Sequence, residues 1–267
     1  MSSARLRPAA PADHGLYARF FAELGMSEGP LDRERWTAEC GPTSVFLERG
    51  GTAIGYAFWN GDGTDVHVRH VVVDRAVRGQ GHGRVLMLEL AKLLRARGAR
   101  NWRLSVLTSN TAAIGLYTGL GFEKAYETQV LRLETRSVRR LPRSPARTRE
   151  ASADSDSEHE QRFDLLAGQL ARSRGYKSVR VLESRLPDGA VVGLAVFDPQ
   201  VPGAFPFRVR GSEHARALIE AMLEVPGNDK DFVQLVIEDD LATAQALERA
   251  GATRTLEILH MRGAIPK

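Results

Sequence analysis

Three glycines at alternate positions, Gly79, Gly81 and Gly83, stand between an apolar run, Val66 to Val73, and a stretch with Leu86, Leu90, Leu93 and Leu94 at helical spacing. The spacing predicts a strand, a tight loop and a helix from about His82 to Arg97, stopped by Gly98. Backbone amides of such a loop, together with the N-terminus of the helix behind it, hold phosphate oxygens without burying an unpaired charge. Arg78 and Arg84 flank the loop, and Gln80 and His82 complete it. Taken alone, Arg78 to Arg84 is open to several readings, including a nucleotide site or a simple turn. It is not a P-loop, because no Gly-Lys-Ser/Thr follows. It also fits a dinucleotide fingerprint poorly, since the next strand, Arg103 to Leu107, is not closed by an acidic residue.

The rest of the chain predicts an α/β (α+β) protein of two domains. A length of 267 residues suits two cores of ordinary size. A β-hairpin is predicted from Thr43 to Asn60 around Gly50-Gly51. A second helix opens at Asn110 and ends at Gly121, before a last strand pair through Leu133. The second half repeats the first: Gly51 to Trp59 aligns with Gly189 to Phe197, and Arg103 to Phe122 aligns with Val233 to Ala252. Residues 135–160, rich in arginine and then in serine and acid, read as a polar linker between domains at 1–134 and 161–267. The single cysteine, Cys40, excludes an internal disulfide and a cysteine-rich zinc site. No apolar run is long enough to span a membrane and no leader is evident, so the expected location is the cytoplasm. A net charge of +4 is mild, and the basic run lacks interleaved aromatics, which argues against a nucleic-acid partner.

A second motif narrows the reading of the first. Asn110 is followed by Tyr117 seven residues on, and then by Leu120-Gly121-Phe122. With Arg78, Gly81 and Gly83 after an apolar strand, this resembles the GNAT superfamily of N-acetyltransferases over roughly residues 65 to 125. The order of predicted elements extends the resemblance to about 4–134. The resemblance implies two GNAT-like domains, each a mixed, mostly antiparallel sheet flanked by helices. It also implies acetyl-CoA as acyl donor, its pyrophosphate on Arg78, Gly79, Gln80, Gly81, His82, Gly83 and Arg84. Val71, Val72 and Val73 would pair with the pantetheine arm, and an amide there would polarise the acetyl carbonyl. Asn110 would fix the pantetheine or the backbone beside it, and Tyr117 would protonate the departing thiolate.

The implied acceptor is an amine-bearing small molecule or a peptide or protein amine. An ammonium of pKa near 10.4 stands roughly 4.6 kcal/mol from its free base at pH 7, so some group must take its proton. Many relatives that act on protein N-termini use a glutamate on the strand before the Asn, where this chain has Ser105. His67 is therefore the first candidate base, placed by strict alternation on the side of Arg69 and Val71, with His70 on the other. The acceptor's expected surroundings are about Phe20 to Arg35, with Glu23, Glu28, Asp32 and Glu34, and Lys124 to Glu127. In the second domain Glu213 stands where phosphate would sit, and Asp240 and Leu247 replace Asn110 and Tyr117. That copy is expected to be inactive, within a monomer whose tandem domains mimic a dimer. The competing readings are a nucleotide-dependent oxidoreductase, which leaves Asn110 to Phe122 unexplained, a non-catalytic acyl-CoA sensor and an RNA-associated module.

Overall fold

The computed structural model describes residues 4–25, 29–61 and 63–266, and Glu28 lies outside them. The first half runs β1 (Arg5–Pro8), α1 (His14–Ala22), α2 (Arg33–Glu39), β2 (Ser44–Arg49), β3 (Thr52–Asn60), β4 (Asp65–Val73), α3 (His82–Ala96), β5 (Asn101–Leu107), α4 (Thr111–Thr118) and β6 (Glu123–Glu134). The second half runs β7 (Arg147–Glu150), α5 (Asp156–Arg162), α6 (Gln169–Arg174), β8 (Arg180–Arg185), β9 (Val191–Asp198), β10 (Gly203–Val209), α7 (Ala215–Leu223), β11 (Phe232–Glu238), α8 (Leu241–Arg249) and β12 (Thr253–Ala264). Among the described residues, no helix is long and apolar enough to cross a membrane.

The chain divides into two compact units, residues 1–125 with 259–267, and residues 126–258. Each is a mixed sheet flanked by helices. The first unit therefore ends not at residue 134 but at 125, and it takes in the last nine residues of the chain. The predicted strand pair before Leu133 is one long strand, β6, in which the division falls. Residues 135–160 are not an open linker: they form a 3-10 helix (Thr135–Arg140), β7 and the start of α5, within the second unit. Their cations find partners there, as Arg149 does on Glu183 at 2.7 Å.

In the first unit β1, β2, β3 and β4 pair antiparallel in order, and β5 joins β4 in parallel. Helix α3 lays Leu86, Met87, Leu90 and Leu94 on one face of this sheet, each at most 1% exposed. Burying such side chains stabilises by about 1.5–3 kcal/mol apiece, as an upper estimate. Tyr17, Phe20, Phe21 and Trp36 from α1 and α2 cover the other face over Phe46, Tyr56, Phe58 and Val72. In the second unit β7 to β10 pair antiparallel, and β11 lies between β10, in parallel, and β6. The predicted repeat places β3 against β9, and β5 with α4 against β11 with α8.

Candidate active site

Strand β4 changes character half-way along. Val66 and Val68 point into the core beneath α3 and α4, whereas Val72 lies in the core beneath α1 and α2. Two buried sets separated by an even number of residues occupy opposite faces only if one residue has been inserted. The pairing with β3 locates it: Trp59 faces Val68 and Phe58 faces His70, leaving Arg69 over as a bulge. Strict alternation therefore fails here. His67 shares its face not with Val71, which packs beside the α3 core, but with His70 and Val72. The rings of Phe21, Tyr56 and Phe58 surround His70.

Beyond the bulge the sheet opens. The parallel ladder between β4 and β5 runs from Asp65 and Asn101 to Val68 and Leu104 and stops, while the strands continue to Val73 and Leu107. Val71, Val72 and Val73 thus border a fork between two diverging strands. The glycine loop lies past the end of β4. Gly79 and Gly81 hold φ of 77° and 80°, a region costly for other L-residues. A Cβ at either would meet nothing within 4 Å, so the space over the loop is open. Gly83 serves differently, since a Cβ there would lie 3.2 Å from Leu116 Cδ2, where α3 meets α4. Gly81 caps α3 with no side-chain acceptor, so the first amides of a 15-residue helix face that open space.

The flanking side chains are engaged in holding the loop. The Arg78 guanidinium donates to Val73 O at 2.9 Å and to Glu23 Oε2 at 2.7 Å, and Glu23 also accepts from the Arg75 amide at 3.1 Å. Arg84 Nη1 donates to Gly119 O at 3.1 Å, and His82 Nε2 lies 3.1 Å from Arg49 Nη1. Gln80 lies exposed at the crest of the loop. On α4, Asn110 Oδ1 accepts from the Ala113 amide at 3.1 Å as an N-cap. Tyr117 is 7% exposed and packs on Phe122; burial pushes its hydroxyl up to about 12, so it stays protonated.

Past the cover of α1 and α2, one sheet face carries polar and cationic groups. Trp102, Leu104 and Val106 of β5 are buried beneath α3 and α4, which turns Arg103, Ser105 and Leu107 outward. Leu259 and Met261 are buried likewise, which turns His260 to the same side as Ser105. Ser105 Oγ lies 3.0 Å from His260 Nδ1. His67 is lowered to about 4, first by burial and then by Arg69, Arg103 and His260. His70 is also lowered to about 4, by burial and by Arg69. His260 is the residue that sequence reasoning missed, having been assigned to the second domain.

The matching turn of the second unit carries a carboxylate. A Cβ on Gly211 would meet both Glu213 carboxylate oxygens at 2.7 Å, and Leu247, in the place of Tyr117, is fully buried. Asp240 keeps the cap alone, accepting from the Thr243 amide at 3.0 Å.

Likeness to known proteins identifies the class to which this mixed sheet, glycine loop and pair of helices belong. Residues 14–122 match the model of the acetyltransferase (GNAT) family, and this part of the chain is a GNAT domain. A mycothiol acetyltransferase of Thermobispora bispora is 40% identical over 91 residues, 31% of this chain and 31% of that protein. The match thus spans under a third of that relative's length. A GCN5-related N-acetyltransferase of Sphaerobacter thermophilus has the same fold over 99% of this chain and 96% of its own, at 19% identity and a TM-score of 0.66. A tandem GNAT protein from the clavulanic acid biosynthesis pathway matches over 99% of both chains, at 15% identity and a TM-score of 0.60. The chain thus has the fold of tandem GNAT proteins.

Proposed function

We propose that the first unit transfers the acetyl group of acetyl-CoA to a primary amine of a small molecule, peptide or protein, by direct attack in a ternary complex. The observation that carries this reading is the contrast between the two corners. The glycine loop of the first unit leaves free space before a row of helix N-terminal amides, whereas a carboxylate fills the equivalent place in the second. A diphosphate fits the first and is repelled by the second.

Acetyl-CoA would bring an activated thioester to the fork, with the diverging edge of β4 at Val71 to Val73 receiving the pantetheine amides. The residues of the loop bind through main-chain groups. Arg78 and Arg84, already bonded to Val73, Glu23 and Gly119, fix the loop's shape and add positive potential at its rim. Asn110 spends its Oδ1 on the cap and retains its Nδ2 donors for the tether. As the tetrahedral intermediate collapses, the protonated Tyr117 gives its proton to the leaving thiolate. A histidine on the cationic face receives the proton of the amine, and His67 is the candidate read from the sequence. The charges around it also favour the free base of the incoming amine.

Acetyl-CoA is expected to raise the melting midpoint and NADPH to leave it unchanged. Tyr117→Phe is expected to lower kcat by about 100-fold, the lower end of the range for general acids, without moving the dissociation constant of acetyl-CoA. Unchanged turnover in that variant, with an intact response to acetyl-CoA, would favour a sensor over an enzyme.

A further inference from the structure

The proton of the acceptor ammonium needs a destination close to the fork. Leu104 is the last residue of β5 paired with β4, so Ser105 is the first beyond the point where the strands part. A lone serine hydroxyl at that place is no base. This serine, however, lies 3.0 Å from His260 Nδ1, on a strand 155 residues away in sequence. His260 is half-buried, held between Leu259 and Met261, both buried in the α3 core, and so its ring is directed onto the face that bears Ser105. Resting on the acetyl-transfer reading above, we propose that Ser105 and His260 form a proton relay that accepts the proton of the acceptor amine.

With His260 neutral and its proton on Nε2, Ser105 Oγ–H donates to Nδ1. An N–H bond of the acceptor ammonium breaks toward Ser105 Oγ as the Ser105 O–H bond breaks toward His260 Nδ1. The amine keeps its electron pair for attack on the acetyl carbon, Ser105 ends as it began, and His260 becomes an imidazolium that releases its proton to water. The pair thereby supplies what a serine alone lacks. His67, on the same face, is a poorer destination, because its nitrogen binds a proton only well below neutral pH and leaves little driving force for transfer. Charged and titratable groups on the strands around His260 include Asp65, His67, Arg69 and His70 on β4, Arg103 on β5, Arg254, Glu257 and Arg262 on its own strand, and Glu123, Lys124 and Glu127 on β6.

The relay is tested in the full chain by following thiol release from acetyl-CoA with a panel of primary amines from pH 6 to 10. His260→Gln and Ser105→Ala are each expected to lower kcat/KM at pH 7 by about 100-fold. The deficit should shrink as rising pH supplies the free amine, while acetyl-CoA affinity and melting midpoint stay at the wild-type values. Imidazole added to His260→Ala is expected to restore part of the rate, a rescue that a merely structural histidine would not give. Wild-type rates in His260→Gln, or a pH profile altered by His67→Gln instead, would overturn the relay and leave the transfer reading standing. Failure of the wild type to bind acetyl-CoA, or to release thiol with every amine, would overturn both.

Discussion

His67 illustrates how neighbours set the behaviour of one side chain. Its ring is partly buried, which disfavours the imidazolium, and Arg69, Arg103 and His260 disfavour it further. Removing one cation should relax part of the shift and leave the larger contribution of burial. In Arg103→Gln the His67 pKa is therefore expected to rise above about 4 yet stay below the ordinary 6.5, as an NMR titration of the ring would record. His67 and His70 both bind protons less readily folded than unfolded, so below pH 6.5 the unfolded chain takes up protons that the folded chain refuses. Stability from these two groups is complete above pH 6.5 and declines as pH falls toward about 4. Thermal midpoints are expected to drop across that window, and less steeply in His70→Gln; parallel curves for the two proteins would contradict the assignment.

At the scale of elements, the strand, glycine loop and helix are specified locally, by an apolar run, alternate glycines and a leucine period, and all of that was readable in the sequence. The demand on Gly79 is conformational, since a Cβ there would touch nothing. Gly79→Ala is thus expected to cost about 1–2 kcal/mol through its left-handed φ alone. It should also weaken acetyl-CoA binding by turning the loop amides, measurable by calorimetry beside a melting curve. What was not readable has equally definite causes. The bulge at Arg69 adds one residue to a period of two, and nothing in Asp65 to Val73 marks where. That single insertion moves His67 away from the face of Val71. The arginine-rich segment looked like a linker because composition counts charges without their partners. In the structure Arg149 and Arg185 converge on the buried Glu183, and the Arg216 guanidinium donates to the carbonyls of Arg139 and Leu141. Nor could any local pattern join Ser105 to His260.

At the scale of the whole molecule, the first unit is completed by the last residues of the chain. Leu259, Met261 and Ile265 enter its α3 core, the Ile265 amide donates to Arg100 O at 2.7 Å, and Arg95 Nη1 donates to Pro266 O at 2.6 Å. Three such side chains contribute on the order of 5 kcal/mol of burial, enough to make this strand part of the unit's stability. It runs close against main chain at Gly263, where an added Cβ would stand 2.6 Å from Gly121 O and 3.3 Å from Phe122 Cα. Both neighbours are main chain and cannot swing aside as a flexible side chain would. Gly263→Ala must therefore displace the strand, at an expected cost of about 1–3 kcal/mol, the usual penalty of overpacking. The same displacement separates His260 from Ser105. The variant is thus expected to melt several degrees lower and, when folded at low temperature, to lose turnover while still binding acetyl-CoA. Arg262→Ala, one residue away and exposed, is the control for position, with a midpoint close to wild type. Equal midpoints for Gly263→Ala and Arg262→Ala would mean that the strand does not press on Gly121. Lowered stability with full turnover would instead separate the packing of the strand from the chemistry that it carries.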